Sequence, residues 1–246
     1  MNYVSSHNGQ LQITTHTVFT CNNEKHFTTG LQALDALLPN GGFRFGAVHE
    51  VLSDPADGWS MFFAVILAQG ALKARLNRLT SICHKEPSAQ AMLVWSDRYR
   101  LLYPPALVSL GIDLNRLILL RPADRTQEIT ALGECLRCRG VCAVVGHPGA
   151  MSPIEARRLQ LAAEQGQGAG IFLRHYPSET QHYAAATRWL VRPLPGKRLI
   201  QRWEIRLLHG HGGRAGERVV LERCHATHDV RAFAPVADRQ TAKAMA

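Results

Sequence analysis

The sequence predicts an α/β fold: a mostly parallel, twisted sheet with helices on both faces and an antiparallel extension at its C-terminal edge. Three observations carry this expectation. Short, nearly continuous apolar runs recur at residues 48–52, 91–95, 116–121, 141–146 and 170–174, the composition of parallel strands covered on both faces. Segments with helical spacing or helix caps separate these runs, which is the alternation of a doubly wound sheet. After Tyr176 the segments 187–192, 202–208 and 218–222 are divided by Pro193, Pro195, Gly196 and the glycine-rich stretch 210–216; they read as antiparallel strands added at one edge.

Taken in order, residues 1–26 are polar and lack sustained periodicity, as expected of a flexible arm. Leu31, Leu34 and Leu38 then recur at helical spacing, predicting a helix over 28–39 that Asn40-Gly41-Gly42 stops. The first core strand begins at about Ala47, and the apolar segment from Met61 through Leu72, Leu76 and Leu79 is its following helix. Residues 91–95 form the second strand, and 101–110, broken by Pro104-Pro105, leads into a third at 116–121. Asp124 caps the next helix with Gln127 at the reciprocal position, and Ile129, Leu132 and Leu136 face inward. After the fourth strand at 141–146, Ser152-Pro153-Ile154-Glu155 combines a serine cap, proline at the first helical position and glutamate three residues on. That helix ends near Gly166 and Gly168, before a fifth strand at 170–174. The organisation expected is one domain over 27–231, its extension at about 187–224, and a flexible tail over 232–246.

A chain of 246 residues with 46% hydrophobic content can bury a substantial core. The first residues contain no basic and apolar leader, and no apolar run approaches the roughly 20 residues of a membrane span. With six cysteines over this length, the expectation is a cytoplasmic protein in a reducing compartment. Cys135, Cys138 and Cys142 lack a second pair of ligands and read as buried structural thiols; His209-Gly210-His211 reads as a flexible turn able to touch phosphate rather than as a ligand pair, and no metal is expected. The net charge of +9 comes from 23 Arg and 5 Lys against 19 acids. Residues 188–231 contain ten basic side chains against four acidic ones. Arg188, Arg192, Arg198, Arg202 and Arg206 are candidates for a surface that meets DNA or an acidic partner. The other reading of the same residues is a solvated sheet face. Alternation over 202–208 places Arg202, Glu204, Arg206 and Leu208 on one face and Trp203, Ile205 and Leu207 on the other.

The candidate nucleotide site lies between the first core strand and its helix. A phosphate-cradling loop reads G-x-x-x-x-G-K-[ST]: glycines admit the phosphates, lysine neutralises them and the hydroxyl holds magnesium. Here the frame reads Ser53, four residues, Gly58, Trp59 and Ser60. The lysine is replaced by Trp59, while Asp54 and Asp57 add like charge. At an effective dielectric of 20, one such contact at about 5 Å costs about 3 kcal/mol. Trp59 reads as filling the vacated phosphate space; an aromatic anchor for a partner is the sharper alternative. At the end of the fourth strand, Gly146 stands where an aspartate would direct the metal. No cofactor and no enzymatic activity are expected. Asp97 and Glu50 read as a cap or surface charge rather than catalytic carboxylates.

The strand, degenerate loop and helix resemble the opening of a RecA-type core. The Thr29-Gly30-x-x-x-Leu34-Asp35 element, Gly41-Gly42, His49-Glu50-Val51 and Leu110-Gly111-Ile112-Asp113 resemble the ImuA family. So do Leu136-Arg137-Cys138, Arg157-Arg158-Leu159-Gln160-Leu161-Ala162-Ala163, Ala186-Thr187-Arg188-Trp189 and Arg202-Trp203. The match covers roughly residues 27–224. The resemblance implies a bacterial RecA-like protein of the SOS response to DNA damage that acts in error-prone translesion synthesis and mutagenesis. Its implied partners are an ImuB-like Y-family polymerase homologue and an error-prone replicative-type polymerase subunit, with RecA and weak, non-specific DNA contact as further candidates. SulA-type cell-division inhibitors share the segment at 144–174, so a SulA-like binding inhibitor is the alternative, and a residual ATPase or recombinase a second one.

Overall fold

The computed structural model of the chain describes residues 6–7, 10–11, 25–53, 60–82, 91–175 and 184–233. Strands β1 (Ser6–His7) and β2 (Gln10–Leu11) form a small hairpin, and β3 (His26–Phe27) pairs with β4 (Phe43–Arg44) in a second one. Helix α1 (Gln32–Asp35) lies between β3 and β4. The core then runs β5 (Ala47–Ser53), α2 (Ser60–Ile82), β6 (Met92–Ser96), α3 (Pro104–Val108), β7 (Leu117–Leu120), α4 (Arg125–Arg137), β8 (Val141–Gly146), α5 (Pro153–Gly166) and β9 (Ala169–His175). Strands β10 (Thr187–Lys197), β11 (Ile200–Gly210), β12 (Arg218–Cys224) and β13 (Val230–Phe233) follow. Nine strands join in one sheet in the order β13-β12-β11-β10-β5-β9-β8-β6-β7.

Strands β5 to β10 are mutually parallel where they pair, as their covered, apolar sequences require. The C-terminal extension departs from expectation at its first strand. β10 joins β5 in parallel, from Thr187 opposite His49 to Leu190 opposite Leu52, and only β11, β12 and β13 continue antiparallel. The first five residues of β10 are buried and its remainder is largely exposed, so one long strand serves both the parallel core and the meander. The extension also runs on to Phe233 through the short β13.

The helix expected over 28–39 is another correction. Only Gln32–Asp35 is α-helical, followed by a 3-10 turn at Pro39–Gly41 in which Asn40 adopts a φ of 62°. The buried carboxylate of Asp35 folds back to accept the backbone N–H of Thr29 (2.9 Å) and Gly30 (3.1 Å) and the Thr29 hydroxyl (2.8 Å). The Thr-Gly-x-x-x-Leu-Asp element is therefore a self-capped bend. Burial outweighs these three bonds and pushes Asp35 up to about 6.

Helix α2 covers one face of the sheet, where Phe63, Leu67, Trp95, Trp189 and Trp203 are buried. Helices α4 and α5 pack on the other face over β5, β6, β8 and β9, enclosing Leu132, Leu136, Val144, Leu159 and Phe172. Both anticipated caps form: Asp124 accepts the Gln127 N–H at 2.8 Å, and Ser152 with Glu155 makes a reciprocal capping box. Among the described residues no helix is long and apolar enough to cross a membrane.

Candidate functional site

β5 ends at the buried Ser53, and α2 begins at the buried Ser60. A strand and a helix thus bracket the degenerate loop; Asp54, Asp57, Gly58 and Trp59 lie outside the described residues. Gly146 ends β8 as expected, but its orientation corrects the role assigned to its position. A Cβ built there lies 2.7 Å from Leu132 Cδ2 of α4. Strand alternation sends Val145 to the α2 face and position 146 to the α4 face. A carboxylate at 146 would enter apolar packing beneath α4, on the face away from Ser60.

The polar groups at the C-terminal ends of β6 and β8 converge on a residue the sequence reading passed over. Glu128 of α4 is fully buried; it accepts from Ser96 Oγ (2.8 Å), Arg98 Nε (2.9 Å) and the His147 N–H (3.2 Å). The available signal was a charged residue on the apolar stripe that continues at Leu132 and Leu136. Asp97 is also buried and caps the next loop by accepting the N–H of Leu101 (2.8 Å) and Leu102 (3.2 Å). Accepting from backbone N–H groups, and in Glu128 also from Ser96 and Arg98, these carboxylates position loops.

Three charged side chains lie in the sheet itself. Glu50 of β5 receives Arg174 Nη1 from β9 at 2.7 Å and Arg188 Nε from β10 at 2.9 Å, and all three residues are at most 3% exposed. Arg188 is therefore withdrawn from the proposed surface: the central strand holds it inside. Glu50 is likewise an ion-pair centre rather than a cap or surface charge. On the α2 face, His49 closes a second chain of contacts. Trp189 Nε1 donates to Thr187 Oγ1 (2.8 Å), Thr187 Oγ1 donates to His49 Nδ1 (2.8 Å), and His49 Nε2 donates to the Arg44 carbonyl (2.9 Å). The carbonyl fixes the tautomer, and burial pushes His49 down to about 4.

The remaining arginines do form a face. Trp203, Ile205 and Leu207 are buried, while Arg202, Glu204 and Arg206 point to the other side of β11. Cross-strand register adds Arg192 opposite Glu204, Arg218 opposite Arg206, and Glu222 opposite both Arg202 and Arg231. Arg202 pairs with Glu222, and Glu204 receives Arg206 at 3.3 Å and Arg218 at 2.8 Å. Five arginines thus share the face with two glutamates. Arg198, exposed in the β10–β11 turn, lies beside it.

Cys142 is buried, donates to the Met92 carbonyl at 3.1 Å and is pushed up to about 12 by burial. Cys138, by contrast with the expected buried thiols, is exposed. Among the described residues no three His, Cys, Asp or Glu side chains assemble to hold a metal. His209 and His211 meet edge to face at 5.1 Å.

This nine-stranded, mostly parallel sheet, with a strand-to-helix crossover from its central strand, is consistent with a RecA-like α/β fold. No protein-family model matches the chain. It is 28% identical over 239 residues to Protein ImuA of Caulobacter vibrioides strain NA1000 / CB15N, covering 88% of this chain and 92% of that relative. Protein ImuA of C. vibrioides strain ATCC 19089 matches to the same extent. Similarity over nearly the full length of both chains supports membership of the ImuA family.

Proposed function

We propose that this chain is a non-enzymatic RecA-like accessory protein of damage-induced, error-prone translesion synthesis. In this reading it recruits or positions an ImuB-like polymerase homologue together with an error-prone replicative-type polymerase subunit. The similarity to Protein ImuA supports the biological setting. The observation that supports the non-enzymatic part is the crossover from β5 to α2: a strand and a helix flank the loop, and in its sequence Trp59 stands at the lysine's position. In a deletion strain, damage-induced mutation frequency is expected to fall while homologous recombination persists, and the purified protein is expected to show neither micromolar ATP affinity nor magnesium-dependent turnover. Normal induced mutagenesis with lost filamentation after damage would overturn the reading in favour of a SulA-like division inhibitor. Turnover abolished by Ser60→Ala would overturn it in favour of an ATPase.

The arginine face on β10 to β13 is the surface proposed to meet DNA or an acidic partner. Its ion pairs are partly solvated, and such pairs contribute about 0–1 kcal/mol each. Changing Arg202 and Arg206 together to Ala is therefore expected to leave the melting temperature nearly unchanged. If DNA is bound there, the slope of log affinity against log salt falls by about 1.4 to 1.8 for the two contacts. A double variant that binds DNA and the polymerase complex like the parent would make this a solvated face only.

A further inference from the structure

At the other end of β5 from the degenerate loop, an open cleft of about 380 Å³ lies between the β3–β4 hairpin, the 3-10 turn and the start of β10. That volume falls in the range of small-ligand sites, about 300–1,000 Å³. Lys25, His26, Arg44 and His211 line it, with Leu38 and Pro39 as an apolar wall, and no described lining residue is acidic. Its walls are fixed by secondary structure. His26 and Arg44 are cross-strand partners, the Phe45 N–H donates to the Lys25 carbonyl at 2.7 Å, and His49 Nε2 holds the Arg44 carbonyl from behind. Arg78 Nη2 also donates to the His26 carbonyl at 2.9 Å. Within this frame His26 Nδ1 is buried with no hydrogen-bond partner among the described residues. A buried polar atom left unpaired is costly and calls for a partner.

We propose that this cleft is a phosphate-binding site, with Arg44 and Lys25 supplying fixed positive charge and His26 and His211 hydrogen-bonding to the phosphate oxygens. Two cations and two imidazoles around one opening match a dianion with three oxygens better than a carboxylate with two. The field is already in place without the ligand: burial, and then Arg44, Arg78 and Lys25, hold His26 below its ordinary range. His211 faces His209, which burial, His211 and Arg188 hold low in the same way. A bound dianion offsets the repulsion from Arg44, Arg78 and Lys25 and so favours the protonated His26 ring. The cleft is spatially separate from the lost nucleotide site: His49 at its rear precedes Ser53 by four residues, about 13 Å along the strand. The proposal therefore stands or falls independently of the translesion role.

The test uses the full chain, titrated with inorganic pyrophosphate, with a 5′-mononucleotide and with short oligo-dT, followed by calorimetry and by the imidazole NMR signals of His26 and His211. Expected are shifts of both signals, a rise in the apparent pKa of His26, and affinity reduced on the order of tenfold by Arg44→Gln and again by Lys25→Gln. Binding of the mononucleotide assigns the site to small phosphate ligands; binding of oligo-dT alone assigns it to a nucleic-acid backbone. Both signatures must persist in the Arg202→Ala, Arg206→Ala variant, which separates the cleft from the arginine face. Unperturbed His26 and His211 signals with all three probes, or full affinity in the folded Lys25→Gln, Arg44→Gln protein, would overturn the proposal.

Discussion

Glu50→Ala is expected to be the most damaging single change in the molecule, lowering stability by about 3–5 kcal/mol. The carboxylate sits between Arg174 and Arg188, on three adjacent parallel strands, with both ion pairs almost wholly out of water. Removing it leaves two buried guanidinium groups without the carboxylate they share. For a domain of this size 1 kcal/mol corresponds to about 2–4 °C in melting temperature, so a loss of about 6–20 °C is expected, measurable by thermal unfolding. A variant melting within about 2 °C of the parent would refute the assignment. Replacing all three residues by apolar side chains of similar volume is expected to recover most of the loss, because the desolvation cost disappears with the charges.

Asp35→Asn is expected to expose an acid sensitivity that the parent conceals. His49 stands at about 4 in the fold, below the ordinary 6.5, so between these values the unfolded chain binds the proton more strongly and acidification destabilises the native state. The loss begins near pH 6.5, is complete near pH 4 and amounts to about 3 kcal/mol. Asp35 works the other way. Raised from 3.8 to about 6, it takes up its proton more readily in the fold, and acidification through that window stabilises by about 3 kcal/mol. The two contributions oppose each other over nearly the same range. Unfolding free energies measured from pH 7 to pH 4 should therefore fall more steeply in Asp35→Asn than in the parent. NMR should find the His49 ring neutral down to about pH 4; titration of that ring near 6.5, or parallel stability profiles, would contradict this account.

The regular elements were legible because their signals are local. The run at 141–146 is strand β8, and the Ser152-Pro153-Ile154-Glu155 signature is a formed capping box. The helix expected at 28–39 from the spacing of Leu31, Leu34 and Leu38 is cut to Gln32–Asp35, where the Asp35 carboxylate folds back on Thr29 and Gly30. Glu50 and Arg174 were visible as charges within apolar runs, and Glu128 as a charge on an apolar stripe. Their meaning depends on strand order, which single-sequence periodicity does not encode: Arg188 reads as one more basic residue until β10 is placed beside β5. The phosphate cleft was less accessible still, since it assembles residues from 25–26, 38–44, 186–187 and 211.

Among the described residues the sheet is wider than its cover. Nine strands at about 4.8 Å spacing span roughly 38 Å, while α4 and α5, each about 10 Å across, lie over β5, β6, β8 and β9. The uncovered half on that side is a plate whose charges stand at intervals set by the backbone ladder, about 4.8 Å across strands and about 7 Å along them. Loops can adapt to a visitor; a hydrogen-bonded lattice anchored through β10 to the central strand cannot. A partner docking on this half would have to conform to it, and the loss of freedom on association would then fall mainly on that partner.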